Sequence, residues 1–125
     1  MNGERGSAVV DFVLVGTLVI LIFSALLQFA LALHVRNILI DSAAEGARAG
    51  ALAGSSAEVG ADRARYLIGL ALSERYGQDV RTAVVDVDGV PCLQVDIAAP
   101  LPLVGLVGPA RVLHVSGRAV LEETL

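Results

Sequence analysis

Lysine and tryptophan are both absent from the 125 residues, and cysteine and methionine occur once each. All nine basic residues are therefore arginines, set against thirteen acidic ones for a formal net charge of −4. No window clusters enough Arg to reverse that balance, which excludes a nucleic-acid partner, because phosphate binding needs concentrated cations. The lone Cys92 excludes an intrachain disulfide and, lying in a strand-like run, is expected to be a small buried hydrophobe. His34 and His114 lie 80 positions apart, which with one cysteine is no metal-ligand spacing. Asp86, Asp88 and Asp96 lack the glycine and glutamate that a calcium loop requires around them. Gly105 and Gly108 sit among prolines and aliphatics, so no glycine-rich phosphate loop is present. With no catalytic, cofactor-binding or metal site legible, neither an enzyme nor a binder of small-molecule substrates is expected.

What the chain has in plenty is aliphatic surface, and it is unevenly spread. Phe12 to Leu33 is FVLVGTLVILIFSALLQFALAL, 22 residues without a charge. As a helix this run is about 33 Å long, against the ~30 Å hydrocarbon core of a bilayer. Apolar residues lie on every side of it, as in a transmembrane or fully buried helix, and the remaining residues are too few to surround so apolar a rod. Three membrane readings compete: a plain single-pass anchor, a secretory signal cleaved at Ala30-Leu31-Ala32, and a pilin-type signal. The run is longer than the ~7–15 residues of a secretory signal core and starts beside an acid, Asp11.

The residues ahead of the run bear on the third reading. A short polar leader ends in Glu4-Arg5-Gly6, and Asp11 lies five positions after that glycine, followed by Phe12. This resembles the type IV prepilin signal, cut after the glycine by a membrane aspartyl peptidase, with an acid at the fifth mature position. The stretch from Arg5-Gly6-Ser7-Ala8 to Val35-Arg36, continuing into the alanine-rich Asp41 to Ala49, resembles the TadE-like minor pilins (pseudopilins) of tight-adherence, Flp-type pilus systems. The family's usual pattern is R-G-[ST]-A-x-x-E-F, then a hydrophobic helix and an Arg shortly after it. Asp11 stands where Glu is usual, so its carboxylate reaches one methylene less far.

The resemblance implies cleavage between Gly6 and Ser7 by a prepilin peptidase, a subunit-docking role for Asp11 and Phe12, and partners among other pilins or pseudopilins and the pilus assembly platform. It places the chain in a bacterial inner membrane as a single-pass protein with its head outside the cytoplasm, and in an extracellular pilus after processing. Physical chemistry supplies a parallel argument for Asp11. A carboxylate at the edge of the lipid core is costly and usually has a partner, and cleavage would create one in the Ser7 α-amino group. The competing account makes Asp11 an acid favoured by the dipole of a first helical turn.

After the apolar run, residues 34–54 are expected to continue the helix, with Val35, Ile38 and Leu39 on one side and Asp41, Glu45 and Arg48 on a more polar one. Gly46, Gly50 and Gly54, with Ala43, Ala47 and Ala51, either let another backbone approach closely or mark a fraying end. Ser55-Ser56-Ala57-Glu58 has capping-box form, opening a second, amphipathic helix to about Tyr76 with Gly77 as a left-handed stop. Its expected buried stripe is Val59, Tyr66, Leu67, Leu70 and Ala71. Beyond Asp79 the period becomes two, Asp88-Gly89 marks a hairpin turn, and three strands follow, with their odd-numbered residues expected to face the helices.

Between the second and third strands Pro100 to Pro109 has no charged or polar side chain. Its Leu101, Leu103, Val104, Leu106 and Val107 are expected either to fold over the sheet or to dock a partner pilin or the outer leaflet. The whole is an α+β protein. A leader (1–6) precedes a long N-terminal helix (7–54), transmembrane over about 11–34, and a head (55–125) carries the second helix and a three-stranded antiparallel sheet. The expected function is a minor pilin-like structural and assembly subunit; the alternative is a permanently membrane-anchored accessory or binding protein of the bacterial envelope.

Overall fold

A computed structural model describes residues 2–101 and 112–122. Helix α1 spans Asn2–Ala51 without a break, a rod about 75 Å long. A turn follows in which Gly54 takes φ 79° and the Ser55 N–H donates to the Leu52 carbonyl. Helix α2, Ala57–Ala71, starts at Ser56, whose hydroxyl accepts from the Val59 N–H at 3.2 Å. The capping side chain is thus the second serine of the pair, which leaves Glu58 at the second helical position, outside a capping box.

Helix α2 ends earlier than its pattern suggests. Leu72 is the cap residue, and a 3-10 turn, Glu74–Gly77, leads into the sheet. Gly77 is buried and its φ is not positive, so it is no left-handed stop. The sheet consists of β1 (Asp79–Val87), β2 (Val90–Pro100) and β3 (Val112–Val120) in the order β1-β2-β3, both pairs antiparallel. Asp88 (φ 52°) and Gly89 (φ 84°) form the two-residue turn between β1 and β2, the left-handed pair that a tight hairpin demands.

That turn corrects the expected face of β1. A two-residue loop pairs Val87 with Val90 and so sets every even residue of β1 opposite an odd one of β2, as in Val80↔Ile97 and Thr82↔Val95. In β2 and β3, whose partners share parity, the odd residues Leu93, Val95, Ile97, Ala99 and Val115 are buried. In β1 the buried residue is Val80. The outer face of the sheet carries a polar ladder: Arg118 Nε donates to Gln94 Oε1 at 2.6 Å, and Gln94 Nε2 donates to Asp96 Oδ1 at 2.8 Å.

The core lies between the sheet and the second half of α1. Val35, Leu39, Ala43 and Ala47 recur every four residues and bury against Val95, Ile97, Ala99 and Val115, with Ala61, Ala64 and Ile68 closing the side from α2. A Cβ on Gly117 would collide with the backbone of Ala43 and Ala44, so β3 lies directly on the helix at that level. Farther along, the Glu122 N–H donates to the Ala51 carbonyl at 2.8 Å, and Glu122 Oε2 accepts from the Ala53 N–H at 3.2 Å. Orphan groups at the end of α1 are satisfied in this way. With Gly117 against Ala43 and Ala44 and Glu122 against Ala51, β3 runs alongside α1 in the same direction.

Candidate functional site: the bare half of the long helix and its junction with the head

Not one of residues 3–34 of α1 is buried. Phe12 is 80% exposed, and Leu14, Leu18, Ile20, Phe23, Leu26 and Phe29 are exposed with it. An apolar helix of this length is tolerated in water only if something covers it, and here none of the described residues of the head buries any of it. The segment is a candidate membrane span by length and composition, and its exposure removes the reading as a buried core helix.

Gly6, Ser7 and Asp11 lie on the first turns of this bare segment, all exposed. Ser7 and Asp11 are one helical turn apart and share a face, and Phe12 adjoins Asp11. Among the described residues no ion pair reaches Asp11. A Cβ on Gly6 would meet nothing within 4 Å, so the position makes no packing demand for glycine.

At the far end the helix changes character. A Cβ on Gly46 would fall 2.6 Å from the Gly60 carbonyl oxygen and 2.9 Å from Ala64 Cβ. One on Gly50 would fall 2.5 Å from Leu93 Cδ2 and 3.0 Å from Gly60 Cα. The two glycines let α2 cross in backbone contact, inside one chain. Gly54, grouped with them by spacing, belongs to the turn after α1 and has open space around it.

This close crossing also corrects the expected stripe of α2. Gly60, Ala61, Ala64 and Ile68 are buried, while Val59, Tyr66 and Leu70 are 49%, 57% and 67% exposed. Backbones this close leave room only for small side chains at the crossing itself, so Val59, Tyr66 and Leu70 turn outward while Ile68 is buried beyond it, and Arg63 lies over the Tyr66 ring at 5.7 Å. The spacing of Gly60, Ala61 and Ala64 opposite Gly46 and Gly50 was the signal available for this stripe. Leu67 is partly buried, and Ala71 is exposed.

Of the apolar connector, Leu101 is described and half-buried; Leu103, Val104, Leu106 and Val107 lie outside the described residues. Cys92 is buried, its Sγ 3.7 Å from the Val90 carbonyl oxygen. Among the described residues no cluster of His, Cys, Asp and Glu is placed to hold a metal ion. The depressions on the head are open and of mixed polarity: one of about 490 Å³ lies between α1 and β3, lined by Arg48, Leu52, Arg118 and Glu122. Another, of about 270 Å³, lies on the outer sheet face around Asp79, Arg81, Asp96 and His114.

No curated protein and no solved structure matches the chain. Residues 6–48, which hold Gly6, Ser7, Asp11, Phe12, the entire bare apolar run and the first glycine of the junction, match the family model described as TadE-like protein, so this third of the chain is TadE-like.

Proposed function

We propose that the chain is a minor pilin-like structural subunit of a tight-adherence-type pilus, non-enzymatic, and cut after Gly6 by a prepilin peptidase. The observation that carries this reading is the placement of Gly6, Asp11 and Phe12 at the start of a long apolar helix that the fold leaves bare, within the stretch that matches the TadE-like model. A helix exposed over its whole circumference can exchange lipid for the helices of other subunits without any change in the head. Its partners in this reading are the membrane, the peptidase, other pilins and the assembly platform, and the head lies outside the cytoplasm.

In this reading α1 is continuous through Gly6, so the scissile bond must unwind to enter a peptidase. Glycine lowers that cost by about 1 kcal/mol relative to alanine, and the bond lies at the second turn, where helices fray. After cleavage, the Ser7 ammonium and the Asp11 carboxylate of staggered neighbours relieve each other's cost in lipid, which sets one register of docking more than it adds net stability. The N-terminal residue of the protein extracted from its native membrane tests the reading. Ser7 supports it; Leu33 would mean a secretory signal, and Met1 or Asn2 a permanent anchor.

A further inference from the structure

The two landmarks that align β3 with α1 also locate the end of the sheet nearest the apolar run. Gly117 lies against Ala43 and Ala44, and Glu122 against Ala51, so strand and helix climb together. Val112 is five residues before Gly117, about 17 Å along a strand, which equals about eleven helical residues. Counted back from Ala43 and Ala44, that brings Val112 about level with Ala32 and Leu33 of α1. Val35 is 2% exposed and belongs to the same core cluster as Ala99 and Val115, which agrees with that level. Pro100 pairs with Val112, so Leu101 stands at this end as well.

The apolar run of α1 stops at Leu33 and the core of the head begins at Val35. No polar stalk separates the two. A head attached this close to a membrane span has its lower rim at the lipid boundary, and the β2–β3 corner of that rim is apolar where it is described, while Gln78 and Asp79 lie beside it at the start of β1. Val112 is 53% exposed, Leu33 is 43% exposed, and Pro100 and Leu101 are half-buried. The exposed cationic side chain of Arg36 stands one turn above Leu33, at the height of lipid phosphates.

The geometry points to the β2–β3 end of the sheet being a lipid-contacting surface, seated in the outer boundary of the bilayer, with Leu101 and Val112 reaching the acyl level. The occupant is the membrane itself. The continuity of the span with the head favours it over a second copy, because no movement of the chain brings this rim away from the bilayer while α1 stays inserted. The contact fixes how deep α1 sits and how the head is oriented, and it must be released when a subunit leaves the membrane. The inference rests on the membrane-anchored part of the proposed function and holds for a pilin subunit or a permanent anchor.

The experiment uses the full chain in vesicles of phosphatidylcholine and phosphatidylglycerol carrying acyl-chain spin labels, in a Cys92→Ala background with one fluorophore per protein. Labels are placed at Ile22→Cys in the middle of the run, at Val112→Cys on the rim, and at Asp86→Cys on β1 far from the run. Expected is strong quenching by the lipid at Ile22, at least half as much at Val112, and none at Asp86, with aqueous iodide showing the reverse order. A Val112 label quenched by iodide and untouched by lipid overturns the proposal. So does one shielded from both quenchers, which would mean a protein partner on the rim. Loss of lipid quenching at Ile22 as well refutes the anchoring itself and is distinguished by that label alone. A Leu101→Cys label repeats the measurement should Val112→Cys fail to fold.

Discussion

From Phe12 to Leu33 the long helix carries Leu, Val, Ile and Phe on all its faces and buries none of them; from Val35 to Ala51 it carries Ala, Gly and Ser on two faces and buries most of them. The same backbone geometry thus serves two solvents. In the first half large side chains lie bare, as on a candidate membrane span, and are buried by none of the described residues of the head. In the second half, Val35, Leu39, Ala43 and Ala47 meet the sheet, while Gly46 and Gly50 meet α2 at backbone distance. Apolar content alone does not separate these roles. Small side chains help: Gly46 and Gly50 mark where α2 crosses at backbone distance, whereas bulky residues occur both in the bare half and, as Val35 and Leu39, in the core.

The sharpest way to break this comparison is to place the same change in both halves. Gly117→Leu or Gly50→Leu puts a side chain where Ala43, Ala44, Ser56 or Gly60 backbone stands. Backbone cannot yield as a flexible side chain does, so the cost should reach or exceed the ~3 kcal/mol upper range of ordinary overpacking, a large share of a small domain's stability. Circular dichroism melts and limited proteolysis in detergent should show a head that no longer folds. Gly16→Leu, whose Cβ meets nothing within 4 Å, should leave the melt unchanged and the span longer in unbroken apolar surface. A folded Gly50→Leu head would mean that α2 does not cross there.

A second way acts on processing. Gly6→Leu should accumulate as a slightly larger membrane-bound precursor in cells that carry the peptidase, while the head folds as before, because Gly6 has open space around it. Equal mobility of the two forms on a gel removes Gly6 as the residue before the cut.

Side-chain size also bears on what was legible in the sequence. The bare half was plain, since 22 uncharged residues admit few other readings. The hairpin was plain because Asp88-Gly89 supplies two residues that accept positive φ. The start of α2 was readable to within one serine. The packed half was not, because a hydrophobic pattern favours the largest apolar residues for burial. On α2 the close crossing reverses that ranking, leaving Tyr66 and Leu70 outside and Gly60 and Ala64 within. The parity of β1 was derivable, since a two-residue turn fixes it, yet Ala83, Val85 and Val87 look like the better core face until the pairing is written out. Of the site, Gly6 to Phe12 was recognisable as a motif, whereas the direction of Gly46 and Gly50 toward α2 depends on contacts between segments that no local pattern contains.

A third variant touches the one acid in the bare half that accompanies the apolar run. Asp11→Asn keeps size and shape and removes the charge. Span insertion, cleavage and the melt of the head should not change, because Asp11 is exposed and one end of the molecule away from the core. Incorporation into pili should fall, and Asp11→Glu should restore or improve it. Normal assembly by Asp11→Asn, read as pilus yield against the parent chain, would reduce the acid to a helix-start residue and remove docking register from the proposed function.

The smallest effect is expected where the two regimes of the helix end. The Ala51 carbonyl is one of the groups a helix terminus leaves without an internal partner, and here the chain's own Glu122 supplies the donor at 2.8 Å while its side chain accepts from Ala53 at 3.2 Å. Glu122→Ala removes only the second bond. Because that bond is exposed to water, its loss should cost no more than about 1 kcal/mol, seen as a melt lowered by a few degrees. Glu122→Gln keeps an acceptor oxygen in the same place and should fall between the parent and Ala. Glu122→Pro keeps neither the side-chain acceptor nor the N–H, so it should exceed the alanine cost by the worth of the backbone bond. If alanine and proline destabilise the head equally, the backbone bond contributes nothing, and the end of α1 is held by the packing of Gly50 and Gly117 alone.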